Sequence, residues 1–104
     1  METYLILRRA AWSDADEAVE ARTRAAAEAE RLSELVEWRR TYTFAECDGT
    51  IGSVCVYEAV SPEALRHHAD TAVLPVDEIV RVVDTVVVRP DPAAICGLIE
   101  GRNE

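Results

Sequence analysis

Residues Ser53–Asp77 read SVCVYEAVSPEALRHHADTAVLPVD, and the folding of this stretch decides the rest. Its β-branched and aromatic start predicts a strand over Ser53–Ala59. By the two-residue period, Val54, Val56 and Glu58 share one face and Cys55, Tyr57 and Ala59 the other. Ser61, Pro62 and Glu63 then match the N-cap, N1 proline and acidic N2 position of a helix. Pro75 requires that helix to end near Thr71–Val73. Positions 65, 68, 69 and 72 share its apolar face, so His68 points inward. His67 lies about 100° further round and faces solvent.

Upstream, Val36–Phe44 predicts another strand, with Val36, Trp38, Arg40, Tyr42 and Phe44 on one face. Glu46–Gly49 ends in Asp-Gly, a hairpin signal that joins the two strands. Thr3–Arg9, TYLILRR, predicts the first strand, and Trp12 falls in the connection after it. Ser13 as N-cap and Asp16 three residues later form a capping box for a helix running to about Glu34. Its expected inward stripe is Ala15, Ala18, Val19, Ala25, Ala26, Ala29 and Leu32. Downstream, valine-rich Glu78–Arg89 predicts the last strand, stopped by Pro90-Asp91-Pro92.

The order β-α-β-β-α-β in a chain of this size predicts an α+β, ferredoxin-like sandwich over residues 1–92. Ala93–Glu104 is read as a C-terminal tail or dimer arm. Two helices cover only one face of a four-stranded sheet. Trp38, Tyr42 and the valines of the last strand would leave the other face apolar, and apolar surface of that kind marks an interface. A homodimer closed through the sheets into a dimeric α+β barrel is expected.

Composition narrows the function. The chain has 104 residues, enough for one core and not for two. Its net charge of −9 argues against nucleic acid and anionic membrane surfaces as partners. No apolar run reaches the roughly 18 residues of a membrane span, and Met1–Arg9 is too short for a signal peptide, so a cytoplasmic location is expected. Its 11 basic residues are all arginine, which excludes a Schiff-base lysine. Cys47, Cys55 and Cys96 are an odd set without C-x-x-C spacing, which disfavours disulfides and a zinc site built by one chain.

The succession VEWRRTY, DG, VCVYEA, SPEALRHHA and LPVDEIV resembles a small bacterial family of nickel-responsive, ferredoxin-like proteins. The resemblance covers Val36–Val88, with a looser match from Tyr4 through the first helix. It implies the β-α-β-β-α-β fold, a dimeric α+β barrel and a capacity to bind nickel. Two positions depart from the pattern. Leu7 stands where the family often has a polar residue, and His67 precedes the family histidine, where a charged residue is common.

The candidate site follows. His68 is the principal metal ligand, because neutral imidazole suits nickel, with Cys55 and His67 as further ligands. Nickel is the implied metal, and sequestration or response the implied role. The bland readings are a packed core histidine, a small buried cysteine and an exposed helix residue. The alternative is a cofactor-free enzyme acting on a small apolar or aromatic metabolite. His68 or Glu58 would then be the general acid or base, and Tyr57, Trp38 and Tyr42 would line the pocket. Glu58 has a structural reading too, as partner of Arg40 or Arg81.

Overall fold

The structure, a computed structural model, describes residues 1–92; the expected arm at 93–104 lies outside the described residues. In chain order the elements are β1 (Glu2–Trp12), α1 (Ala15–Arg31), β2 (Val36–Ala45), β3 (Ile51–Ala59), α2 (Pro62–Ala72) and β4 (Glu78–Arg81). The strands form one antiparallel sheet in the order β2-β3-β1-β4, with both helices on one face. This is the ferredoxin-like α+β arrangement that the element order predicts.

Strand alternation builds the core. Tyr4, Ile6 and Arg8 of β1 and Ser53, Cys55, Tyr57 and Ala59 of β3 point toward the helices and are buried. From α2 come Ala64, Leu65, His68, Ala69 and Ala72. From α1 come Ala18, Ala21 and Ala25, whose small side chains let that helix lie close to the sheet. The expected α1 stripe needs correction: Val19 is 47% exposed, and Ala15 and Ala26 are exposed too. The buried line runs 18-21-25, one helical face, and Ala29 and Leu32 continue it against the core.

The caps explain where the helices begin and end. Asp14, not Ser13, caps α1: its Oδ1 accepts from the Glu17 N–H at 2.9 Å. Glu17 in turn accepts from the Ser13 N–H at 2.8 Å, a reciprocal box one residue further along than expected. For α2, Ser61 Oγ accepts from the Ala64 N–H at 3.1 Å, with Pro62 in the first turn. α2 closes on Val73, which takes the left-handed conformation at φ 58°. There the Leu74 N–H reaches back to the Ala69 carbonyl at 2.9 Å, as in a Schellman ending.

Two strands depart from expectation. In β2 the register slips between Trp38, opposite Tyr57, and Arg40, opposite Val56. Arg39 is the extra residue of a β-bulge. Val36 and Trp38 face the helices as expected, but Arg40, Tyr42 and Phe44 turn to the other face. Thr41 and Thr43 come inward, opposite Cys55 and Ser53. The Phe44 ring lies where a side chain at residue 52 would sit, 2.7 Å from its Cβ position, so only Gly52 fits.

β4 ends at Arg81, not Arg89. It pairs only with Tyr4–Leu7 of β1, and one more bond joins the Val82 N–H to the Thr3 carbonyl. Since β1 starts at Glu2, residues 83–89 have no neighbouring strand among the described residues. Val83 and Val88 are 84% and 85% exposed. The segment turns across the outer face of the sheet, where Asp91 meets Arg40 at 2.7 Å and the Tyr42 hydroxyl.

Candidate functional site

The inward row of β1 puts a charge in the core. Arg8 follows Tyr4 and Ile6 on the buried face and is only 2% exposed. Its Nε donates to the Pro75 carbonyl at 2.7 Å. Its Nη1 donates to Cys55 Sγ at 3.2 Å, while Nη2 is buried without a partner. The sulfur also accepts from the Thr41 hydroxyl at 3.1 Å. Thr41 in turn accepts from the Trp38 indole N–H at 2.7 Å. Thr41 reaches this position because of the bulge at Arg39.

These residues wall a small cavity between α1 and the sheet. It admits water-sized centres over about 20 Å³, room for one or two waters. Trp12, Trp38, Tyr57 and the alanines of α1 form its apolar sides, and Arg22 and Thr43 are its exposed members. Tyr57 stacks on Trp38 with ring centroids 6.2 Å apart. Burial, the largest effect, pushes its phenol well above the ordinary range, so the hydroxyl stays neutral.

His68 is fully buried on α2. Its Nε2 lies 3.0 Å from the Ala25 carbonyl. A carbonyl only accepts, so this nitrogen carries the proton. Nδ1 is buried without a partner, and the ring tilts against Tyr57 at 5.2 Å. Burial, first, and the Arg8 guanidinium lower the His68 pKa, against the opposing Ala25 hydrogen bond. The side chain is a neutral core imidazole.

The expected site residues therefore separate. Cys55, Tyr57 and Trp38 share the cavity; His68 packs behind Tyr57 and does not line it. His67 is exposed on the opposite side of α2. Glu58 and Tyr42 lie on the outer face, with the sheet between them and His68. The expected Glu58 ion pair is absent among the described residues, because Arg40 pairs with Asp91 and Arg81 with Glu2. Leu7 also faces outward, pairing with Val54, so its departure from the family pattern does not touch the cavity. Arg8 is the residue that sequence reasoning missed. The signal was present: inward parity at Tyr4 and Ile6 carries on to residue 8.

The interior does not fit a divalent cation. Among the described residues no three His, Cys, Asp or Glu side chains converge. A guanidinium already occupies one side of the Cys55 sulfur, and the protonated nitrogen of His68 is committed to a carbonyl.

A β2-β3-β1-β4 antiparallel sheet under two helices, with a small cavity between, defines a ferredoxin-like α+β protein. The family described as "Nickel responsive protein SCO4226-like" matches residues 4–82, and the chain belongs to that family. A crystal structure of SCO4226 from Streptomyces coelicolor A3(2) superposes with a TM-score of 0.62 at 20% identity. The superposition covers 81% of this chain and 99% of that one, and it supports the fold. No curated protein matches.

Proposed function

We propose that this chain is a non-catalytic nickel-binding protein of sequestration or response, working as a homodimer joined through the outer face of its sheet. Membership of a nickel-responsive family over residues 4–82 carries the reading. The metal sits on the surface of α2 at His67, not in the core. His67 is exposed; since no three His, Cys, Asp or Glu side chains converge among the described residues, it would hold the ion with at most one neighbouring carboxylate, Glu63 four residues before it or Asp70 three after, and with water. Imidazole nitrogen with carboxylate oxygen and water is a donor set that suits nickel, and a net charge of −9 raises the local cation concentration.

The dimer is supported by what the outer face shows. Leu5, Val54 and Val56 are only half buried there, and Val80 is exposed at its edge. No helix covers them. A second copy would bury them together with the valines after β4. The enzyme alternative, with His68 or Glu58 as general acid or base, is less favoured because neither residue lines the cavity that Tyr57 and Trp38 share.

Calorimetric nickel titration of the full chain tests the metal reading. Wild type, His68→Gln and Cys55→Ser should bind alike, and His67→Ala should weaken binding at least tenfold. Unchanged binding in His67→Ala, or no binding by wild type, overturns it.

A further inference from the structure

We propose that the valine-rich run after β4 is an exchanged strand: Val83–Val88 of each protomer pairs along the open edge of β2 in a second copy of this chain. The inference rests on the homodimer proposed above and names the contact that closes it. Val82 makes the last ladder bond, to the Thr3 carbonyl. Beyond it, residues 83–90 make no backbone hydrogen bond to another element among the described residues. Val83, Val86, Val87 and Val88 have high strand propensity, yet they are between 69% and 85% exposed. Burying these valines in a dimer also removes water from their backbone, whose N–H and C=O groups then need a ladder.

The sheet offers that ladder at β2. With the order β2-β3-β1-β4, the outer edge of β2 faces no strand among the described residues. β2 is ten residues long, Val36–Ala45, and a long open edge is a template for another chain. The run cannot use the β2 of its own sheet. It starts at the opposite edge, is spent crossing the outer face, and meets its own β2 only through Asp91. It stands off that face, leaving an open groove of about 430 Å³ against Leu5, Val56 and Tyr42. Sheets packed face to face lie about 10 Å apart, so a run lifted off one sheet comes level with the edge of the other. Charge fits as well, since β2 carries Arg39 and Arg40 while Asp84 and Asp91 lie in and after the run. Asp91 bonds Arg40 at 2.7 Å and the Tyr42 hydroxyl. The Arg40 and Asp91 side chains are about half exposed, so a second copy's aspartate can take the same place, as in domain swapping. Exchanged twice about a two-fold axis, the runs cover the β2 edge of both copies and close the two sheets into a barrel.

A charge swap separates exchange from a run that stays at home. Asp91→Arg puts two cations at the contact and Arg40→Asp two anions. Each variant homodimer should be about tenfold weaker than wild type, because two repulsive contacts replace two attractive ones. If Asp91 reaches across protomers, the heterodimer of the two variants restores both contacts. An equal mixture should then dimerise within about threefold of wild type. If each run stays on its own sheet, every contact in the mixture remains repulsive and mixing rescues nothing. Sedimentation equilibrium of the full chains measures all four samples. Hydrogen exchange adds a readout that needs no variant: the amides of Val83–Val88 should be protected in the wild-type dimer and lose protection on dilution to monomer. A wild-type dimer with unweakened single variants, with no rescue on mixing, or with unprotected amides at 83–88 overturns the exchange and leaves the sheet-face dimer standing. A wild-type monomer at every concentration removes both. None of these measurements involves nickel or His67, so the surface metal reading stands or falls separately.

Discussion

Cys55 and His68 are both buried among polar atoms, yet their surroundings differ in sign. The sulfur receives hydrogen bonds from a guanidinium and a hydroxyl. The imidazole gives one to a carbonyl and keeps an unsatisfied acceptor. Protonating His68 would add charge to the core, with Arg8 already nearby and Glu28 on α1 as the opposing carboxylate. Its pKa lies below the ordinary 6.5, so the unfolded chain binds that proton more readily. Stability from this residue is complete above pH 6.5 and is lost as pH falls through the folded value. Urea midpoints measured from pH 7 to pH 5 should fall for wild type, and the fall should shrink in His68→Gln, which keeps a donor for Ala25. An identical slope in the two proteins would refute the assignment. Replacing His68 by Ala should cost about 2–4 kcal/mol, as for other large-to-small changes at fully buried sites.

The elements begin and end where local chemistry is strongest. Ser61-Pro62 announces α2 and the structure keeps that start, whereas Ser13 and Asp14 compete for the cap of α1 and the acid wins. At the other end of α2, Val73 holds a left-handed conformation that disfavours β-branched residues, and its side chain is 72% exposed. Val73→Gly should therefore raise stability, by about 1 kcal/mol, seen as a higher thermal midpoint; a lower one would show that the valine packs usefully. β2 shows where periodicity stops being readable. Alternation from Val36 holds through Trp38 and fails at Arg39, because an inserted residue leaves no mark on the pattern of side chains. That single residue turns Tyr42 out of the expected pocket and Thr41 into it. β4 fails for a related reason: valine propensity runs on to Val88, but a strand needs a neighbour, and β1 supplies one only as far as Thr3.

At the scale of the molecule, element order alone made the ferredoxin-like fold legible. The site was only half legible. The inward faces of β3 and α2 located Cys55, Tyr57 and His68, but which of them meet depends on packing across three elements, and periodicity does not report it. Arg8 was overlooked because the first strand was placed without following its two-residue period from Tyr4 and Ile6 to residue 8. Among the described residues, Val83, Val86, Val87 and Val88 after β4 are all exposed, and they make the assembly testable. Sedimentation equilibrium of the full chain should give twice the 11.5 kDa chain mass. Val86→Asp with Val87→Asp should move the protein toward monomer. A wild-type monomer at all concentrations, or a dimer indifferent to both aspartates, would remove the sheet-face interface.

The position of Cys55 has one more use. Its thiol sits behind α1, while Cys47 lies open on the β2–β3 turn. A thiol reagent can reach Cys55 only when α1 lifts from the sheet. With Cys47 and Cys96 changed to serine, the rate of Cys55 labelling becomes a clock for that opening in the native protein.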